Sequence, residues 1–303
     1  MKLKLIKSAK IPFILIFMLT YLLSIASFTI SAINPILPAT AFIPDAEPHV
    51  FVYKGEKRIF IYGSRDERVT SYCDDGHDVW SAPVNDLTKW TNHGEIFNVK
   101  QVWDIGYGII NKQHFGAPDC VYNPITKKYY LYTFLGTVYN MDGKQGPLPG
   151  SVNYVQGFEN FGPKCVMAVS DSPAGPFINP VMCDWPAANK AGTFDPSVLV
   201  DQQKDGSIRV YAYWGMVKGD RWAEIDPLDM HTIINSQTRK PDRCAWHQTL
   251  NPKGQTSLFE ASSIKKVAKD KYVFICSANE RPSALTYCYS NSPEGPWNYG
   301  GRI

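Results

Sequence analysis

Charge of either sign in excess is missing from this chain. Its 303 residues carry 31 Lys+Arg against 28 Asp+Glu, a formal net charge of +3. No basic block lies beyond the extreme N-terminus, which argues against a nucleic-acid partner. Signature spacings are missing as well: there is no Cys-x-x-Cys, no His-Glu-x-x-His, no Gly-x-x-x-x-Gly-Lys and no Gly-x-Ser-x-Gly. Spacing therefore offers no structural zinc, zinc-peptidase centre, phosphate cradle or serine elbow. The six histidines (49, 77, 93, 114, 231, 247) are scattered without ligand spacing, and no metal ligands are assigned. Long helical periodicity is equally hard to find.

What is present is apolar and aromatic. Hydrophobic residues make up 44% and aromatic ones 13%, with 17 Tyr, 15 Phe and 8 Trp, a composition that excludes a disordered chain. The length suits one large domain or two small ones, and the aromatic excess fits a β-rich core. Residues 1–32 read as a secretory signal: Lys2, Lys4, Lys7 and Lys10, a largely apolar stretch from Ile11 to Ile25, then small residues with cleavage sites after Ala26 or Ala32. The stretch is short for a bilayer span, so a cleaved leader is expected over a retained anchor. The expected mature chain is exported and not held in a membrane. Seven cysteines (73, 120, 165, 183, 244, 276, 288) then face an oxidising compartment. Their odd number leaves at least one thiol unpaired or bonded between chains.

One unit recurs four times: an acid, a short strand, a polar turn and a second aromatic strand. Asp45 precedes His49–Tyr53 and Arg58–Tyr62; Asp119 precedes Cys120–Tyr122 and Tyr129–Phe134. Asp195 precedes Ser197–Val200 and Ile208–Tyr213; Glu260 precedes Ser262–Ile264 and Tyr272–Cys276. The acids stand 13, 10, 13 and 12 residues before the second strand. Ser170-Asp-Ser-Pro-Ala-Gly-Pro-Phe177 returns as Ser290-Asn-Ser-Pro-Glu-Gly-Pro-Trp297, and Trp80–Trp90 holds the matching slot in the first unit. Sheet-sized repeats predict radial stacking, an all-β propeller. The long period requires long loops, of which 135–160 is one. Acids at the start of each innermost strand are then expected to meet at one end of the central channel. His49 and His114 are expected near that mouth as structural hydrogen-bonders. Crowded carboxylates repel, so one keeps its proton, and a protonated carboxyl beside an ionised one is what glycosidic cleavage uses.

These residues resemble glycoside hydrolase family 43, five-bladed β-propeller enzymes acting on arabinose- and xylose-containing plant cell-wall glycans. The matching stretches are Pro44–Phe51, Val79–Trp90 with His93-Gly94, Gly116–Asp119, Ser170–Phe177, Phe194–Val198, Tyr213–Gly215, Phe259–Ala261 and Ser290–Trp297. By position, the resemblance implies Asp45 as general base, Glu260 as general acid, and Asp195 as the residue that raises and orients that acid. The family inverts the anomeric centre, which implies a base–acid separation of about 6.5–9.5 Å. Asp119 and Trp214 are expected as substrate contacts, core packing being the competing role for Trp214. No cofactor is required, and the resemblance admits a calcium ion in the channel. The expected partner is a polysaccharide or oligosaccharide. Blade one reads Asp-Ala-Glu-Pro where relatives have Asp-Pro-Ser, which leaves Glu47 as a second candidate for the base. The family also continues into a fifth blade where this chain stops at Ile303. A propeller domain over 33–303, incomplete at its C-terminus, is therefore expected. A non-catalytic carbohydrate-binding propeller is the alternative reading.

Overall fold

A computed structural model describes residues 37–38, 41, 43–65, 75–103, 113–137, 164–186, 193–215, 221–248, 258–278 and 284–303. The leader expected at 1–32 lies outside these, as does Cys73. Of the loop expected at 135–160, residues 135–137 finish a strand and the remainder falls outside the described residues. Among the described residues no helix is long and apolar enough to cross a membrane.

Among the described residues sixteen strands form four sheets of four, and within each sheet every strand is antiparallel to its sequence neighbour. Blade one holds β1 (Glu47–Tyr53), β2 (Glu56–Ser64), β3 (Gly76–Pro83) and β4 (Thr91–Asn98). A single helical turn, α1 (Lys100–Trp103), follows. Blade two holds β5 (Gln113–Asn123), β6 (Lys128–Thr137), β7 (Lys164–Ser170) and β8 (Ile178–Met182). Blade three holds β9 (Ser197–Gln202), β10 (Ile208–Trp214), β11 (Arg221–Ile225) and β12 (Trp246–Gln248). Blade four holds β13 (Leu258–Ala268), β14 (Lys271–Ala278), β15 (Leu285–Ser290) and β16 (Asn298–Arg302). The first strand of each sheet contacts that of the next, β1 with β5, β5 with β9, and β9 with β13. This is the propeller arrangement.

The aromatic runs of the sequence fill the spaces between blades. Phe60, Tyr62, Phe115, Leu131 and Phe177 join blades one and two. Tyr132, Trp185, Val198, Val210 and Trp214 join two and three, and Tyr211, Tyr213, Ile264, Phe274 and Trp297 join three and four. Flat β-branched and aromatic surfaces stacked face to face bury most of their apolar area, the main favourable term in folding. The outward faces of the end blades remain open: Val50 and Val52 on β1, and Leu285 and Tyr289 on β15, are at least half exposed.

Polar ties run from each blade to the next. Tyr62 donates its hydroxyl hydrogen to Pro173 O at 2.6 Å, Tyr132 to Met230 O at 2.6 Å, and Tyr213 to Pro293 O at 2.5 Å. Two of the three carbonyls belong to the repeated Ser-x-Ser-Pro turns. In both turns the second serine's amide donates to the first serine's hydroxyl at 3.1 Å. The glycine amide donates to that second serine's carbonyl, again at 3.1 Å. Gly175 and Gly295 sit at φ 70° and 87°, a region that costs a glycine nothing. The six cysteines among the described residues are all free thiols, and five of them are buried.

Candidate active site

The four acids do not occupy one repeat position, and the backbone shows why. A left-handed residue marks the start of every inner strand: Asp45 (φ 52°), Ala117 (φ 42°), Asp195 (φ 44°) and Ala261 (φ 62°). Asp45 and Asp195 are equivalent by this measure, whereas Glu260 stands one residue before the mark and Asp119 two after it. In β5 and β13 the mark coincides with a break in register, between Gly116 and Asp119 and between Glu260 and Ser263. These bulges re-aim the side chains around them.

Asp45 is exposed, and Ser64 Oγ donates to its Oδ2 at 3.0 Å. The same hydroxyl accepts the Ala117 amide at 3.0 Å, tying the aspartate to blade two. Close approach of the chain at Pro44 is what places Asp45. Ser64 N donates to Pro44 O at 3.0 Å, and a Cβ on Gly63 would lie 1.9 Å from Ile43 Cγ2. Only glycine leaves room there. Asp195, 7% exposed, accepts the Ala261 amide on Oδ2 at 2.8 Å. It thereby grips the bulge that carries Glu260. Glu260 is half-buried and its carboxyl is raised above the usual range, first by burial and then by the charge of Asp45. Asp45 and Glu260, 215 positions apart in sequence (260 − 45), thus sense each other electrostatically.

Two expectations need correction. Asp119 is 2% exposed and both of its oxygens are engaged within the protein. Oδ1 accepts from His49 Nε2 at 2.6 Å, while Oδ2 accepts from Val198 N at 2.6 Å and Ser197 Oγ at 3.1 Å. It is a structural carboxylate at the centre of three blades and has no free edge for a sugar. Trp214 is fully buried, stacked on Trp185 with ring centroids 5.1 Å apart, and its Nε1 donates to Pro186 O at 2.9 Å. No face of its indole is left to form a subsite wall; it is core.

Glu47, the alternative base, is also committed. Ser263 Oγ donates to its Oε1 at 2.9 Å, and Lys265 Nζ donates to the same oxygen. With Asp119, Ser197 and Ser263, Glu47 forms an inner ring two residues beyond the left-handed marks. Its members pair in register with Tyr62, Tyr132, Tyr213 and Ile275. Ser64, Ser263 and Lys265 were not singled out from the sequence. Ser263 and Lys265 find their partner Glu47 across blades, and Ser64 joins Asp45 of its own blade to Ala117 of the next.

Glu47, His49 and Asp119 do bring three ligand-type atoms within 4.8 Å of one another, a cluster that spacing did not reveal. It does not fit calcium, which takes about six to eight oxygen ligands. One of the three atoms is an imidazole nitrogen already bonded to Asp119, and an ammonium sits on Glu47.

A left-handed aspartate at two blade entrances, with a half-buried glutamate one residue before the left-handed Ala261, gives this β-propeller a group of three carboxylates. The family model for glycosyl hydrolases family 43 matches residues 34–303, and the chain belongs to that family. A xylosidase/arabinosidase of Thermoclostridium stercorarium is 30% identical over 290 residues, covering 89% of this chain and 52% of the relative. The chain thus spans about half the length of that curated relative. An α-L-arabinofuranosidase structure from Clostridium thermocellum is 27% identical, with TM-score 0.55 over 85% of this chain and 72% of the other. A β-xylosidase/α-arabinofuranosidase from a compost metagenome, solved with xylotriose in calcium-free form, shares the fold at 22% identity. Its TM-score is 0.54, over 88% of this chain and 80% of the other.

Proposed function

We propose that this chain carries the hydrolytic site of an exported glycosidase that cleaves arabinose- or xylose-containing plant cell-wall glycans with inversion. Water held by Asp45 gives up a proton to that carboxylate as its oxygen attacks the anomeric carbon. The glycosidic C–O bond breaks, and the departing oxygen takes the proton of Glu260. Asp195 holds the Ala261 amide and so fixes the direction of Glu260. Acid–base assistance of this kind supplies about 10²–10⁴-fold in rate. The observation that carries the reading is the half-buried Glu260, whose carboxyl burial and the charge of Asp45 push above the usual carboxylate range. The xylosidase/arabinosidase activity of the Thermoclostridium relative and the α-L-arabinofuranosidase activity of the Clostridium enzyme support the pentose preference. The lysine-rich start and apolar stretch of residues 1–32 support export.

The test is hydrolysis of 4-nitrophenyl α-L-arabinofuranoside and β-D-xyloside by the parent and by Glu260→Gln. The expected result is nitrophenol release by the parent, a loss of at least about 10²-fold in the variant, and oligosaccharide binding retained by both. Binding without release by the parent would overturn the proposal in favour of a carbohydrate-binding propeller.

A further inference from the structure

The ammonium of Lys265 lies where the axial cluster would hold a cation. Its Nζ donates to Glu47 Oε1 and stands 3.3 Å from His49 Nε2. His49 Nε2 is in turn 3.7 Å from Glu47 Oε1 and 2.6 Å from Asp119 Oδ1. The side chains of Glu47 and His49 are 14% and 13% exposed and that of Asp119 is 2%. Two carboxylates from blades one and two are therefore drawn together in a poorly solvated space. Buried like charges held this close need a compensating positive charge. The charge comes from blade four, by a lysine whose side chain is 30% exposed.

We infer that Lys265 supplies from within the chain the positive charge that a divalent ion would otherwise provide at this cluster. Removing it uncovers a cation site made by Glu47, His49 and Asp119. The parent then folds without any divalent ion at its axis. Two carboxylates and one imidazole form a mixed oxygen and nitrogen donor set for a first-row divalent ion, for which Mn²⁺ is the probe. The inference is independent of whether the chain cleaves glycosides.

The test uses the full chain, freed of metal with EDTA, as parent, Lys265→Met, Lys265→Arg and the double variant Glu47→Gln/Lys265→Met. Thermal melts are recorded with EDTA, Ca²⁺ or Mn²⁺, and Mn²⁺ binding is read independently by electron paramagnetic resonance. The parent and Lys265→Arg should melt at the same temperature in all three conditions and leave Mn²⁺ free. Lys265→Met should melt lower in EDTA and recover by roughly 5–10 °C at Mn²⁺ well above its dissociation constant. The double variant should bind no Mn²⁺. A parent that loses stability in EDTA and regains it with Ca²⁺ or Mn²⁺ would overturn the inference. So would a Lys265→Met protein that binds no Mn²⁺. If Lys265→Met does not fold, the parent's response to EDTA and the Mn²⁺ resonance of parent and Lys265→Arg still decide the matter.

Discussion

Replacing Asp119 with alanine separates a structural carboxylate from a sugar contact. The side chain is 2% exposed and receives three donors: His49 Nε2 and Val198 N at 2.6 Å, and Ser197 Oγ at 3.1 Å. Asp119→Ala leaves all three without their acceptor. An orphaned buried amide costs about 1–3 kcal/mol, and breaking a buried charged pair costs about 3–5 kcal/mol. These overlap, so a net loss of about 4 kcal/mol is expected. At roughly 2–4 °C per kcal/mol for a chain of this size, the melting temperature should fall by about 8–16 °C. Asp119→Asn keeps the volume and one acceptor oxygen and should lose roughly half as much. The pH dependence has a definite sign. Burial would raise this carboxyl, but attraction to His49, its hydrogen bond, Lys265 and the Val198 amide together hold it down from 3.8 to about 2. Its stabilisation is therefore full above pH 3.8 and is lost as pH falls through about 2. Circular-dichroism melts and urea titrations across this range, run beside oligosaccharide binding, give the measurement. A loss under about 1 kcal/mol, set against the roughly 4 expected, together with weakened glycan binding would refute the reasoning and restore Asp119 as a substrate contact.

Gly63→Ala should disable the site at a distance, because its methyl would meet Ile43 Cγ2 at 1.9 Å and Pro44 O at 2.8 Å, directly before Asp45. Turnover is expected to fall more than oligosaccharide affinity; unchanged kcat on an aryl arabinofuranoside would contradict this. His77 is fully buried, donates from Nδ1 to Gly63 O at 3.0 Å and accepts at Nε2 from Thr133 Oγ1 at 2.7 Å. Burial lowers its pKa from 6.5 to about 4. Since the folded state resists protonation, its contribution is full above pH 6.5 and declines toward pH 4, by about 3 kcal/mol in total. The difference between parent and His77→Gln unfolding free energies should slope across that window, and a flat difference would remove His77 from the account.

Most of the architecture was legible because each blade repeats a short aromatic strand and a punctuated turn within a window that periodicity can detect. Asp45, Asp195 and Glu260 could be singled out for the same reason, each belonging to the opening of a repeated unit. The offset of Glu260 and Asp119 was not legible, because a bulge inserts a residue without changing residue type. Ala117 and Ala261 carry nothing in their side chains that announces a left-handed backbone. For Trp214 the sequence left subsite wall and core packing both open, because the choice depends on its stacking with Trp185. The inner cluster was invisible for a simpler reason. Glu47 and Lys265 are 218 positions apart (265 − 47), and only closure of the propeller brings them together.

Six of the blade-to-blade ties point forward along the chain, from a side chain of one blade to the backbone of the next. Tyr62, Tyr132 and Tyr213 reach forward to Pro173, Met230 and Pro293, and Ser64, Asp119 and Asp195 accept amides from Ala117, Val198 and Ala261. A polypeptide emerging from the ribosome folds its early parts first. These six anchoring side chains are therefore synthesised before the backbone groups they bind, and each is in place when the following blade emerges.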